Sequence, residues 1–168
     1  TRALVKAQDG CDYRCAYCII PDTRGDPTSR PLEEIVTEVA ELSAGGFREV
    51  VLTGVNVACY NDRGRTLVDL LRALCELPQA GRLRLSSIEP ATTERELFDF
   101  AAAESRLCRT LHYPLQSGDV RVLRSMRRRY TPEQFTDSVR YALERLPDLG
   151  LGTDVITGFP GEDDAAFE

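Results

Sequence analysis

No apolar stretch in these 168 residues approaches the ~18 to 20 needed for a helix to cross a bilayer, which excludes a helical membrane protein. Positive charge is short as well. Lys and Arg number 21 against 27 Asp and Glu, and a formal charge of −6 argues against a segment that coats nucleic acid by bulk attraction. Lys6 is the only lysine, a compositional bias rather than a structural signal. His112 is the only histidine and lies far from the clustered cysteines. Twelve Gly and nine Pro exclude collagenous and low-complexity chains. No secretion signal is visible, so a reducing, cytoplasmic setting is expected.

What is present is one domain's worth of chain, 42% hydrophobic, over residues 1–168. Both ends fall inside structured-looking sequence: residues 1–8 read as a strand and 162–168 as the first turns of a helix. A central fragment of a longer protein is therefore expected. Strands are predicted at 1–8, 47–53, 82–88, 110–115 and 149–157, rich in Val, Ile, Leu and Thr. Between them, Leu32, Ile35, Val36 and Val39 share a helical face, with Pro31 suited to the first helical position and Gly45-Gly46 as the stop. Thr66 caps a helix carrying Leu67, Leu70, Leu71 and Leu74. Thr93 with Glu96, and Thr131 with Gln134, fit the capping box. A short helix is predicted over 119–128, and a longer one with Phe135, Val139, Leu143 and Leu146 on its apolar face. Five βα units with short loops imply an α/β fold with a parallel sheet and a site at the carboxyl ends of its strands.

Six cysteines are present, three of them within GCDYRCAYC directly after the first strand. The spacing of Cys11, Cys15 and Cys18 turns three soft thiolates towards one point. Zinc usually takes four ligands, and a disulfide would leave one thiol over, so the triplet suits an iron–sulfur cluster with one iron left open. Cys59, Cys75 and Cys108 are isolated and read as packing residues.

With Tyr17 as its middle aromatic, CxxxCxxC resembles the motif of the radical S-adenosylmethionine (SAM) superfamily. The segments Cys18-Ile-Ile-Pro21, Arg24-Gly25, Ser29-Arg30-Pro31, Leu52-Thr-Gly-Val-Asn56, Pro114-Leu-Gln-Ser-Gly118 and Gly158-Phe-Pro-Gly-Glu162 resemble the methylthiotransferases within it. Arg84-Leu-Ser-Ser-Ile-Glu-Pro90 looks most like the branch acting on threonylcarbamoyladenosine beside the tRNA anticodon. The resemblance implies a partial (β/α)6 barrel, here with five βα units, and a transferase that inserts sulfur plus methyl at an adenine carbon. It implies that Cys11, Cys15 and Cys18 hold a 4Fe-4S cluster whose open iron takes SAM, giving a 5′-deoxyadenosyl radical on reductive cleavage. It also implies flanks absent here, an N-terminal domain with a second 4Fe-4S cluster and a C-terminal RNA-binding domain, so that the fragment alone is incomplete. The implied partners are tRNA and an electron donor such as a flavodoxin or ferredoxin. The rival readings are the same chemistry on a ribosomal protein and a non-catalytic zinc-binding α/β domain.

Carried over residue by residue, Tyr17 sits where the family meets the adenine. Thr53, Gly54 and Asn56 stand where the superfamily contacts the methionine amino group. Ser87, Glu89 and Gln116 end the third and fourth strands as pocket-lining polar residues, and Gly158 lets backbone pass close to adenine. Arg121, Arg124, Arg127, Arg128 and Arg129 form the one basic run, and the helical spacing of Arg121, Arg124 and Arg128 gives either a solvated face or a grip on an oxyanion. His112 reads as a core or pocket histidine. Asp22 and the pair Asp119-Val120 depart from the family pattern, though Asp119 can still cap a helix.

Overall fold

A computed structural model describes residues 2–79 and 81–168; Thr1, included in the predicted first strand, lies outside them. Five parallel strands form a curved layer: β1 (Arg2–Lys6), β2 (Glu49–Thr53), β3 (Arg82–Leu85), β4 (Thr110–His112) and β5 (Gly150–Gly152). The first three pair in register, Leu4 beside Val51 and Val51 beside Arg84, while β4 and β5 pair through Thr110 and Gly150. Two hydrogen bonds splice these groups together, Leu83 N to Arg106 O (2.8 Å) and Cys108 N to Leu83 O (2.7 Å). Strand order thus follows chain order, as in a partial βα barrel.

Between the strands run α1 (Ile20–Arg24), α2 (Leu32–Ala44), α3 (Leu67–Cys75), α4 (Arg95–Ala103), α5 (Val120–Ser125) and α6 (Pro132–Arg145), and α7 (Asp164–Phe167) follows β5. Alternation along each strand decides which face the helices cover. Ala3, Val5, Val50, Leu52, Leu83 and Leu85 point into the main apolar core, which α2, α3, α4 and α6 close from outside. Leu4 points the other way and is 72% exposed. No helix among the described residues is long and apolar enough to cross a membrane.

Several local signals act as predicted. Thr66 with Asp69 and Thr131 with Gln134 form complete capping boxes, and the Asp119 carboxylate accepts from the Arg121 and Val122 amides. Other elements differ. Pro31 is the cap of α2 rather than its first residue, its backbone being extended (φ −54°, ψ 135°), and the Asp62 carboxylate accepts from the Leu32 amide at 2.9 Å. Thr93 does not cap α4. Its hydroxyl donates to the Glu89 carbonyl (2.8 Å), closing the 3-10 turn Pro90–Thr92, and Glu96 reaches across to Arg72 instead. On α6, Leu143 is 41% exposed and Ala142 takes its place in the core. Phe135, Val139, Ala142 and Leu146 form the true stripe at helical spacing. The predicted fifth strand shrinks to three paired residues, extended only by the bridge between Gln116 and Val155.

Candidate active site

Every loop that carries a predicted site residue leaves the carboxyl end of a strand, so all five loops open at one rim of the layer. The cysteine loop follows β1 and is closed at its base by backbone. Gln8 and Asp9 pair antiparallel with Ser29 and Thr28, and the Cys11 amide donates to Gly25 O at 3.0 Å. At the far side the Ala16 amide donates to Met126 O (3.0 Å), which docks the loop on the end of α5. Cys15 is buried, Cys11 and Cys18 are half-buried, and all six cysteines are free thiols. A recess of about 240 Å³ lies against Cys15, Cys18, Arg14, Asp22 and Arg127. Burial pushes the Cys11 thiol up, helped by the neighbouring Cys15 and Cys18.

Among the described residues no three Cys, His, Asp or Glu side chains converge on a point suited to a single metal ion. A cuboidal iron–sulfur cluster takes each thiolate on a different iron, and three soft sulfurs on one pinned loop fit it in donor chemistry.

Arg128 ties the loop to the next strands. The α5 helix ends at Ser125, Arg127 takes a left-handed turn (φ 60°), and the Arg128 amide bonds back to Leu123 O. That turn swings the guanidinium inward. Its Nη1 lies 3.2 Å from Cys15 Sγ and 3.3 Å from Tyr17 Oη, its Nη2 pairs with Glu89, and its plane covers the Tyr130 ring at 5.1 Å. Both charged side chains are removed from water, Arg128 being 6% exposed and Glu89 12%. Desolvation raises the Glu89 carboxyl above its ordinary range despite its partner. It also pushes the half-exposed Tyr17 phenol up to about 12. Arg121, Arg124 and Arg128 do not share one helical face, because Arg128 lies beyond the helix, and Arg121 is paired with Asp119 and Asp163.

The remaining predicted residues take the following places. Tyr17 meets Phe159 edge-on at 6.4 Å, bringing the turn at Gly158 to the cysteine loop, and the Glu162 carboxylate accepts from the Gly158 and Phe159 amides. Thr53 donates its hydroxyl to Val5 O (3.3 Å). Gly54 lies against Gln8, so close that a Cβ would sit 2.9 Å from Gln8 Oε1. Asn56 is buried, with its amide nitrogen on Cys59 Sγ (3.0 Å) and Thr92 Oγ1 (3.2 Å). Ser87 Oγ lies 2.7 Å from His112 Nδ1, and His112 Nε2 lies 3.3 Å from Asp154, a chain across the ends of β3, β4 and β5. Gln116 (φ 66°) bridges β4 to β5 by backbone, its amide on Asp154 O and its carbonyl receiving the Ile156 amide, both at 2.8 Å.

Sequence reasoning missed Gln8. This buried side chain donates to Asp9 O and Gly10 O (2.8 Å each) and accepts from the Asn56 amide (3.0 Å), joining the cysteine loop to the loop after β2. A polar residue directly after the buried Val5 and Ala7 was the available signal. Arg129, expected only as a member of the basic run, stacks over Tyr13 at 4.2 Å and holds Asp12 O at 2.8 Å.

Fold and site together define a class: a partial βα barrel with a three-thiol loop at the carboxyl end of its first strand. The model of the Radical SAM superfamily matches residues 5–168, and the chain belongs to that superfamily, whose cofactors are a 4Fe-4S cluster and SAM. The chain is 41% identical to the threonylcarbamoyladenosine tRNA methylthiotransferase MtaB of Chlamydia pneumoniae, over all of this chain and 40% of that protein. It is 38% identical to the tRNA-2-methylthio-N(6)-dimethylallyladenosine synthase of Orientia tsutsugamushi (strain Boryong), over 98% of this chain and 38% of that protein. It thus spans about two fifths of the length of these curated relatives. Among solved structures, the radical SAM methyltransferase TsrM of Kitasatospora setae superposes with a TM-score of 0.77 at 24% identity, over 98% of this chain and 32% of that one. Methylornithine synthase (PylB) gives 0.65 at 17%, over 99% and 47%. At such identities these two likenesses speak for the fold alone.

Proposed function

We propose that this chain is the radical SAM core of a cytoplasmic tRNA methylthiotransferase that acts on threonylcarbamoyladenosine next to the anticodon. The observation that carries the reading is the pinned loop of Cys11, Cys15 and Cys18 at the rim of the barrel, in a chain whose 168 residues are 41% identical to 40% of the length of MtaB. The three thiolates hold the cluster, which when bound supplies the electron that opens SAM reductively. The protein's own part is positional. The hydrogen bond from the Cys11 amide to Gly25 O at the foot of the loop and the docking of Ala16 on Met126 keep the loop from spreading. Gly54 gives the backbone of β2 a close approach, with Thr53 and Asn56 beside it for the amino acid end of SAM. Tyr17 and Phe159 wall the adenine side and exclude water, with Gly158 open to the ligand. Ser87, Glu89 and Gln116 line the rim for ribose or substrate.

The second 4Fe-4S cluster and most RNA contact are assigned to flanking domains, which accords with a segment carrying a formal charge of −6. A flavodoxin or ferredoxin supplies the electron. Nucleoside mass spectrometry of tRNA from cells lacking the gene tests the reading. Loss of the 2-methylthio group from threonylcarbamoyladenosine supports it. Intact tRNA nucleosides with a mass loss on a ribosomal protein overturn it. Stoichiometric zinc without iron after anaerobic reconstitution removes the enzyme altogether.

A further inference from the structure

Arg128 and Glu89 form the most enclosed ion pair at the rim, and it is an incomplete one. Arg128 Nε and Glu89 Oε1 are both buried without a hydrogen-bond partner. Burying two charges costs several kcal/mol, which mutual attraction offsets only when the remaining donors and acceptors are satisfied. A pair left with two orphaned atoms is therefore a poor device for stability. Four separate contacts nevertheless hold the guanidinium in one place: Glu89, Tyr17 Oη, the Tyr130 ring and Cys15 Sγ. The left-handed turn at Arg127 fixes the backbone from which it reaches. What this geometry delivers is a fixed cationic N–H donor at 3.2 Å from one particular sulfur. Arg128 is the only side chain hydrogen-bonded to any of the three loop thiols among the described residues.

We propose that Arg128, held by Glu89, is a positioning residue that sets the reduction potential of the cluster through an N–H···S hydrogen bond to the Cys15 ligand. The inference rests on the reading of the three cysteines as cluster ligands. Reduction adds negative charge to the cluster and its sulfurs. Hydrogen bonds to those sulfurs and a nearby positive charge favour the reduced form, and a nearby negative charge disfavours it. Arg128 therefore raises the potential and Glu89 lowers it. Glu89 acts from further away, through the far side of the guanidinium. The two members of one ion pair thus push the potential in opposite directions, whereas a purely structural pair would move it in neither.

The test is an anaerobic redox titration of the reconstituted holoenzyme, followed by EPR of the SAM-responsive cluster. Glu89→Gln keeps an acceptor for Nη2 and removes the opposing charge, so the potential rises. Arg128→Gln/Glu89→Gln leaves a neutral pair too short to reach Cys15, so the potential falls. At a poise where the parent cluster is half reduced, the double variant has a reduced-to-oxidised ratio at least tenfold lower, a shift of about 59 mV for one electron. Iron and sulfide content accompany each measurement. Full clusters with opposite shifts support the proposal. Full clusters with unchanged potentials, or with both shifted the same way, overturn it. So does a folded double variant that binds no cluster, since Arg128 would then act on assembly. If the double variant does not fold, the direction of the Glu89→Gln shift decides. A parent protein that takes up no iron refutes the cluster reading itself, and is told apart from the other outcomes by that iron content.

Discussion

A methyl group on Gly10 would lie 2.1 Å from the Asp26 carbonyl oxygen, and its φ of +73° is one that residues with a Cβ rarely adopt. Both constraints arise where the strand Gln8–Asp9 ends and the Cys11 amide turns to Gly25, so Gly10→Ala must prise open the base of the cysteine loop. We predict a loss of roughly 1–3 kcal/mol in chemical denaturation, together with failure to retain iron after reconstitution. Gly158 has nearly the same φ, +74°, but a Cβ added there would meet nothing within 4 Å. Gly158→Ala therefore costs only about 1–2 kcal/mol of backbone strain and leaves iron content unchanged. The same separation of roles holds among the thiols. Cys15→Ala abolishes cluster binding, while Cys75→Ala, in the apolar face of α3, keeps the cluster at a cost of ~1 kcal/mol in thermal or urea unfolding.

At the scale of elements, α5 matters more than its six residues imply, because its carboxyl end is the surface on which the cysteine loop docks. Its amino end depends on Asp119, whose carboxylate accepts from the amides of Arg121 (2.7 Å) and Val122 (3.0 Å). Asp119→Ala should cost ~1 kcal/mol. It should also speed hydrogen exchange at the Ala16 amide, which bonds to Met126, while leaving exchange in α3 unaltered. Exchange that changes equally at the Ala16 amide and in α3 would show that the loop is not supported through α5. Asp119 illustrates what was legible in the sequence. Local chemistry such as the caps at Thr66, Thr131 and Asp119 and the stop at Gly45-Gly46 is written within a few residues, and those predictions match the elements found. The capping prediction at Thr93 failed because a neighbouring turn competed for the same hydroxyl, and no local pattern reveals which partner wins. The place of Arg128 was not legible for a similar reason. Helical spacing, which offers either a solvated face or a grip on an oxyanion, does not extend past the point where Arg127 leaves the helix, and the Arg128 side chain lies buried against Cys15.

Over the whole molecule, parallel order and the five loops at one rim follow from βα alternation and right-handed crossover, which is why the position of the site was readable. The opposite face of the sheet was not, because Glu49 bonds to Arg82 and Arg84, 33 and 35 positions away. Glu49 is the clearest case. It lies on β2 opposite the apolar face, its side chain only 6% exposed, and joins three strands through Arg84 Nε (2.7 Å), Arg82 Nη2 (2.8 Å) and Arg2 Nε (3.9 Å). Hydrogen bonding by Arg84 holds its carboxyl below the ordinary glutamate range, against the opposing effect of burial. The unfolded chain therefore binds a proton more readily than the folded one between the lowered value and about 4.3. The stabilisation is complete above that window and is lost as pH falls through the folded value. Glu49→Gln keeps one acceptor but loses the charge-assisted bonds, and should be less stable than the parent by roughly 1.5–3 kcal/mol at neutral pH. In urea titrations at successively lower pH the gap between the two proteins should narrow within the window and close below it. A gap that stays constant down to full protonation would mean that Glu49 acts by packing alone, and that the three strands are held together by their ladders and the helical layer outside them.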